Sequence, residues 1–105
     1  PLFEKYCKKH KIKLTIRGMS SLDPKAVSQA DLLFIDTVHK PAWLGKELML
    51  HQSHVGKYIV MHDTVTNGGN LHEVAKALTV LNKRWEMMEY CKLNVGYTVL
   101  KRISI

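Results

Sequence analysis

Cysteine is scarce in this chain: Cys7 and Cys91 are the two among 105 residues, far apart and in no C-x-x-C pair. The spacing argues against a disulfide framework and suits reduced thiols in a cytoplasmic protein. No apolar run reaches the roughly 18 residues a membrane span needs, and no signal peptide opens the sequence, so no membrane partner is expected. Neither GxxxxGK[ST] nor GxGxxG occurs, and "NGG" at 67–69 reads as a helix entry rather than a phosphate cradle. Repeats, low-complexity tracts and internal boundaries are absent too. The first residue is Pro rather than Met, which suits a processed product or a piece of something longer.

What is present is apolar matter and positive charge. With 46% hydrophobic residues the chain can build a core, and its length fits a single domain over 1–105. The formal charge is +7, much of it in Lys5, Lys8, Lys9, Lys11, Lys13 and Arg17. Such a cluster suits a solvated helix face and a strand edge guarded by lysines. No aromatic residues are interleaved with it, which argues against single-stranded nucleic acid as a partner.

Hydrophobic period organises the rest. Leu2, Phe3, Tyr6 and Cys7 recur at helical spacing, so residues 2–11 predict an amphipathic helix. "IKLTIRG" alternates Ile12, Leu14 and Ile16 with polar residues, which is strand period, and Gly18 ends it. Asp23–Pro24 predicts a cap and a short helix to about Gln29. The unalternating run 31–36 predicts a strand buried on both faces of a parallel sheet. A crossover helix over 41–53 and a second buried strand over 57–62 follow. Asn70 with Glu73 resembles a capping box, opening a helix that carries Leu71, Val74, Ala75, Leu78 and Leu81 on one stripe. Residues 85–91 and 96–103 predict a terminal antiparallel hairpin around Asn94 and Gly96. The expected fold is α/β and Rossmann-like: a mostly parallel sheet with helices on both faces and an antiparallel edge.

Two of these strands stop in ionisable groups. "DLLFIDTVH" runs into Asp36 and His39, and "KYIVMHDT" runs into His62 and Asp63. In open α/β sheets the ligand crevice lies outside the carboxyl ends of the strands. Neighbouring parallel strands would therefore gather the four groups in one cleft. Clustered carboxylates repel unless a cation or a basic partner compensates. Two Asp oxygens with water suit Mg²⁺, whereas a His ligand favours a transition ion. The competing expectation is that each Asp only caps its own loop. His51 and His54, three apart, form at most half a zinc site and fit better as helix C-terminal residues facing the dipole. His10 and His72 read as surface residues.

The two strand endings, with the crossover helix between them, resemble the class I S-adenosylmethionine-dependent methyltransferases. The branch is the cephalosporin-hydroxylase-like and catechol O-methyltransferase-like one, and the resemblance runs from about residue 12 onward. The ending "GYTVLKRI" is similar to the last strand of many members. The resemblance implies S-adenosylmethionine as cofactor, contacted by Gly18, Ser20 and Ser21 of "RGMSS" and by Asp36 and Thr37. It implies Asp36, His62 and Asp63 as holders of a metal, Mg²⁺ in the metal-dependent members, and His39 as general base in place of a Lys. An imidazole can deprotonate a hydroxyl near neutral pH. The family's first strand, with its Gly-rich loop, and its second would precede residue 1 and are absent from the sequence.

The leading functional expectation is the C-terminal half of an O-methyltransferase acting on a small molecule or sugar, inactive unless completed. A second is a non-catalytic assembly module that oligomerises through an exposed sheet edge. A third is a metal-dependent hydrolase using the Asp/His cluster.

Overall fold

The computed structural model describes residues 2–104, with 67 and 68 described only as positions within a helix. Eight elements follow one another: α1 (Leu2–Lys9), β1 (Ala30–Ile35), α2 (Pro41–His51), a single 3-10 turn (Gln52–His54), β2 (Val55–His62), α3 (Thr66–Leu81), β3 (Trp85–Cys91) and β4 (Tyr97–Arg102). The fold is α/β, with four strands in one open mixed sheet of order β1-β2-β4-β3. β1 and β2 are parallel, while β4 runs antiparallel to both of its neighbours.

The sheet corrects two expectations and bears out a third. It is not mostly parallel, because one pairing is parallel and two are antiparallel. The terminal hairpin does add the antiparallel edge, but its outer strand is β3: β4 slots between β2 and β3, pairing Val60 with Val99 on one side and Met87 with Leu100 on the other. The two long helices do not sandwich the sheet. Leu44 and Leu48 of α2, and Leu71, Ala75 and Leu78 of α3, join Ile35, Ile59, Met61, Trp85 and Leu100 in one core cluster on one face.

β1 shows the consequence. Its unbroken apolar run predicts burial on both sides, yet only Ile35 is buried, and Leu32 and Phe34 remain 53% and 56% exposed. α2 and α3 pack against the face that carries Ile35, so the face with Leu32 and Phe34 has no covering layer among the described residues. Residues 12–17 form no strand despite their alternation, and all of residues 11–20 are exposed. The helix expected over 24–29 is replaced by turns, with Asp23 Oδ1 accepting from the Lys25 amide at 2.8 Å. α3 begins four residues before the expected cap, at Thr66, whose hydroxyl donates to the Asp63 carbonyl at 2.9 Å. No helix among the described residues is long and apolar enough to cross a membrane.

Candidate functional site

Asp36 is the residue after β1, and His62 closes β2 with Asp63 directly behind it. Because β1 and β2 are parallel neighbours, both strand ends fall on one rim of the sheet. His39 arrives from the loop before α2, where Pro41 opens the helix with the φ its ring already holds.

The four side chains meet. Asp63 Oδ2 lies 2.8 Å from His39 Nε2 and 3.2 Å from His62 Nδ1. Asp36 Oδ1 lies 3.4 Å from His39 Nε2 and 3.5 Å from His62 Nδ1. One ligating atom each from Asp36, His39 and Asp63 falls within a 4.8 Å group. The Asp63 side chain is 13% exposed, whereas the other three are two-fifths to one-half exposed, so the cluster is anchored on one sheltered carboxylate. The His62 Nδ1 atom is itself buried and has no partner in hydrogen-bonding geometry, despite its closeness to both carboxylates.

The backbone at Asp63 explains its placement. Asp63 adopts φ +60°, a left-handed conformation that Asp tolerates better than most residues and that turns the chain sharply off β2. Its amide donates to the Gly96 carbonyl at 3.0 Å, and the Val65 amide donates to the Val95 carbonyl at 2.9 Å. Gly96 has φ +75°, and a Cβ there would collide with the Val65 side chain and the Cys91 carbonyl. The β3–β4 turn therefore grips the segment that carries Asp63.

Beneath this grip a polar chain runs through the protein. His72 Nδ1 donates to Thr98 Oγ1 at 2.9 Å, and Thr98 Oγ1 donates to Thr64 Oγ1 at 2.8 Å. The His72 ring stacks on Tyr90 at 3.4 Å. Burial holds the His72 pKa below its ordinary value, with Glu73 opposing. His72 is thus half-buried and bonded rather than a free surface residue. Tyr97, opposite His62 across the β2–β4 pair, is pushed up to about 12, first by its hydrogen bond with Glu89. That phenol stays protonated near neutral pH and is no base.

The expected cofactor residues divide. Ser21 and Thr37 line a cavity of about 230 Å³ beside Leu33 and Ile35 of β1, with Arg17 at its border. Ser21 is held from α2 on two atoms: its carbonyl accepts from His51 Nε2 at 2.6 Å and its hydroxyl from Trp43 Nε1 at 3.1 Å. The Thr37 hydroxyl donates to Glu47 Oε2 at 2.7 Å. Gly18 and Ser20 do not line the cavity; Ser20 Oγ accepts from the Leu22 amide in a local turn. Asp36 belongs to the carboxylate–imidazole cluster. His51 and His54 donate to the carbonyls of Ser21 and Val27 and pin the 21–27 segment to the end of α2 and the 3-10 turn behind it, so they share no zinc site with each other.

Sequence reading missed the supports of this site. Gly96 carried a signal, because a lone Gly in a hairpin turn suggests positive φ. His72, Thr98 and Thr64 carried none, since their contact depends on β4 lying inside the sheet.

The rim can thus bind a cation through two carboxylates and an imidazole, and it can accept a proton at a second imidazole. A scan against protein-family models finds no match for this chain, and a search of curated proteins finds none either.

Proposed function

We propose that the chain supplies the cleft of a class I S-adenosylmethionine-dependent O-methyltransferase acting on a hydroxyl of a small molecule or sugar. Its α/β sheet is read as a Rossmann-like unit without the family's first two strands. The supporting observation is the convergence of Asp36, His39, His62 and Asp63 at the carboxyl ends of the one parallel strand pair.

The donor set tests which ion fits. Two carboxylates alone would suit Mg²⁺, but the buried, unpartnered Nδ1 of His62 beside both of them adds a nitrogen donor. Mixed nitrogen and oxygen donors favour Mn²⁺ or another transition dication over Mg²⁺. Asp36, His62 and Asp63 would hold it, and the ion would supply Lewis-acid polarisation of the acceptor oxygen. His39, 43% exposed at the rim, is free to act as base. It would take the acceptor hydroxyl's proton at Nδ1, since Nε2 already faces the Asp63 carboxylate, as the oxygen takes up the methyl group that the bound cofactor would supply. Asp63, hydrogen-bonded through its backbone to Gly96, then stabilises the imidazolium 2.8 Å away.

Titration calorimetry tests this reading. Mn²⁺ is expected to bind at least about tenfold tighter than Mg²⁺, and Asp63→Asn to abolish both signals. S-adenosylmethionine should release heat only with the ion bound. Absence of that heat at millimolar cofactor overturns the transferase reading, and ion binding without it favours metal-dependent hydrolysis.

A second reading, a non-catalytic assembly module, is favoured by the surface. Leu2, Phe3, Tyr6, Ile12, Ile16, Leu32 and Phe34 are all at least half exposed. A lone domain rarely leaves so much apolar surface without a partner.

A further inference from the structure

Five lysines, Lys5, Lys8, Lys9, Lys11 and Lys13, stand within a stretch that holds none of the chain's nine acids. None of the five joins an ion pair among the described residues. Asp23, the next acid along the chain, is occupied in its own turn by the Lys25 amide. Arg17 does not add to the free charge, because it donates to the Ala26 carbonyl at 3.2 Å and to Ser28 Oγ at 2.7 Å.

The same stretch is apolar on one side. Successive helix residues turn by about 100°, which puts Leu2, Phe3 and Tyr6 on one stripe and Glu4, the single acid of α1, roughly opposite it. Lys5 and Lys9 line one border of the stripe, and buried Cys7 lines the other. Leu2, Phe3 and Tyr6 are 86%, 64% and 55% exposed, and no residue of α1 belongs to the core cluster. The end of the helix keeps the charge as well. The Ile12 amide donates to the Cys7 carbonyl at 2.8 Å and the Lys11 amide to the Lys8 carbonyl at 3.3 Å, with Lys11 at φ +58°. Glycine is usual at this left-handed helix terminus, and here a lysine occupies it.

We propose that residues 2–13 dock on an anionic lipid surface, with Leu2, Phe3 and Tyr6 at the boundary of headgroups and acyl chains and the five lysines among the headgroups. A helix of eight residues cannot cross a bilayer, but it can lie in the interface, where apolar insertion and basic attraction add. Lysine stems run along the apolar stripe and keep their ammonium groups in the polar layer. Charge alone would suit nucleic acid equally, but a phosphate backbone gives an exposed aliphatic and aromatic stripe nothing to bury against. A second copy of this +7 chain would bring like charge to the lysines. The inference concerns location and rests on neither the metal nor methyl transfer.

Cosedimentation of the full chain with phosphatidylcholine vesicles, with and without about 30% phosphatidylserine, tests it. Attachment should require phosphatidylserine and weaken as salt rises. Each lysine near an anionic surface strengthens attachment about fivefold, so Lys5→Gln, Lys8→Gln and Lys9→Gln together should weaken it about a hundredfold. Leu2→Ser with Phe3→Ser should weaken it by about tenfold or more at unchanged charge. These side chains are exposed, so neither variant should shift the melting temperature. Lys46→Gln with Lys76→Gln, on exposed positions of α2 and α3, should bind as the parent does. The proposal is overturned by equal attachment to neutral vesicles, by no attachment to anionic ones, or by attachment that survives the triple lysine variant or falls equally in the Lys46 and Lys76 control. Displacement by duplex DNA, with attachment indifferent to Leu2→Ser and Phe3→Ser, also overturns it, because the segment is then a nucleic-acid surface.

Discussion

Residues 30–102 and residues 2–29 use similar amino acids to opposite ends. In the first region apolar side chains from four strands and two helices close into one core, with Ile59, Ala75 and Leu100 fully buried. In the second, Leu2, Phe3 and Ile16 lie 86%, 64% and 71% exposed, and Cys7 is the single buried hydrophobic, outside the core cluster. Period alone does not distinguish them: "IKLTIR" alternates more cleanly than "DLLFI". What differs is a neighbour. β1 has β2 to pair with, and the 12–17 stretch has no pairing strand among the described residues. Hydrophobic pattern makes a segment competent for a strand, and a hydrogen-bonding partner makes it one.

Substitutions can break this contrast in steps. Trp85 is 2% exposed and donates from Nε1 to Gln52 at 3.0 Å, so Trp85→Ala should cost about 3–5 kcal/mol in urea unfolding. Ile16→Ala, at the other extreme, should stay within about 0.5 kcal/mol; an equal loss would mean that the 12–17 stretch is packed after all. Gly96→Ala comes next. Its positive φ costs about 1–3 kcal/mol for a non-Gly residue before the collision with Val65 is counted. Because Gly96 holds the Asp63 amide, this variant should also weaken Mn²⁺ binding, which Ile16→Ala should not.

A smaller effect should follow pH. Burial keeps the His72 pKa below its ordinary 6.5, so the unfolded chain takes up that proton first as pH falls. The contribution is fully present above about 6.5 and is lost as pH drops toward the folded value. Thermal melts from pH 7.5 to pH 5 should show this decline, and His72→Gln should flatten it. If the slope is unchanged in that variant, another group is responsible. The smallest change is expected from Leu14→Lys: no shift in melting temperature, because the Leu14 side chain is exposed.

Much of the sheet was legible in the sequence because its strands are bounded by charges and turn residues. "WEMMEYC" is β3 as expected, and β1 and β2 lie within two residues of their expected bounds. The gathering of Asp36, His39, His62 and Asp63 was legible too, because a parallel strand pair puts both carboxyl ends on one rim. The position of β4 was not. A short hairpin turn says that two strands pair, but not which of them faces the rest of the sheet. The helix start at Thr66 was hidden because two glycines in its first turn read as loop. The roles of Trp43, His51 and Thr37 were hidden as well, since each reaches a partner ten or more residues away.

The place of β4 has a consequence for how the molecule comes into being. β4 is the last strand in chain order, yet it supplies two of the three strand pairings, and β2 and β3 touch only through it. During synthesis, everything up to residue 96 can emerge with β1 and β2 paired and β3 unattached. The same six-residue strand brings Thr98 to His72 and follows Gly96, which holds Asp63. The carboxylate cluster therefore matures only once β4 has paired, and a chain cut before Tyr97 would have neither the complete sheet nor the strand that follows Gly96.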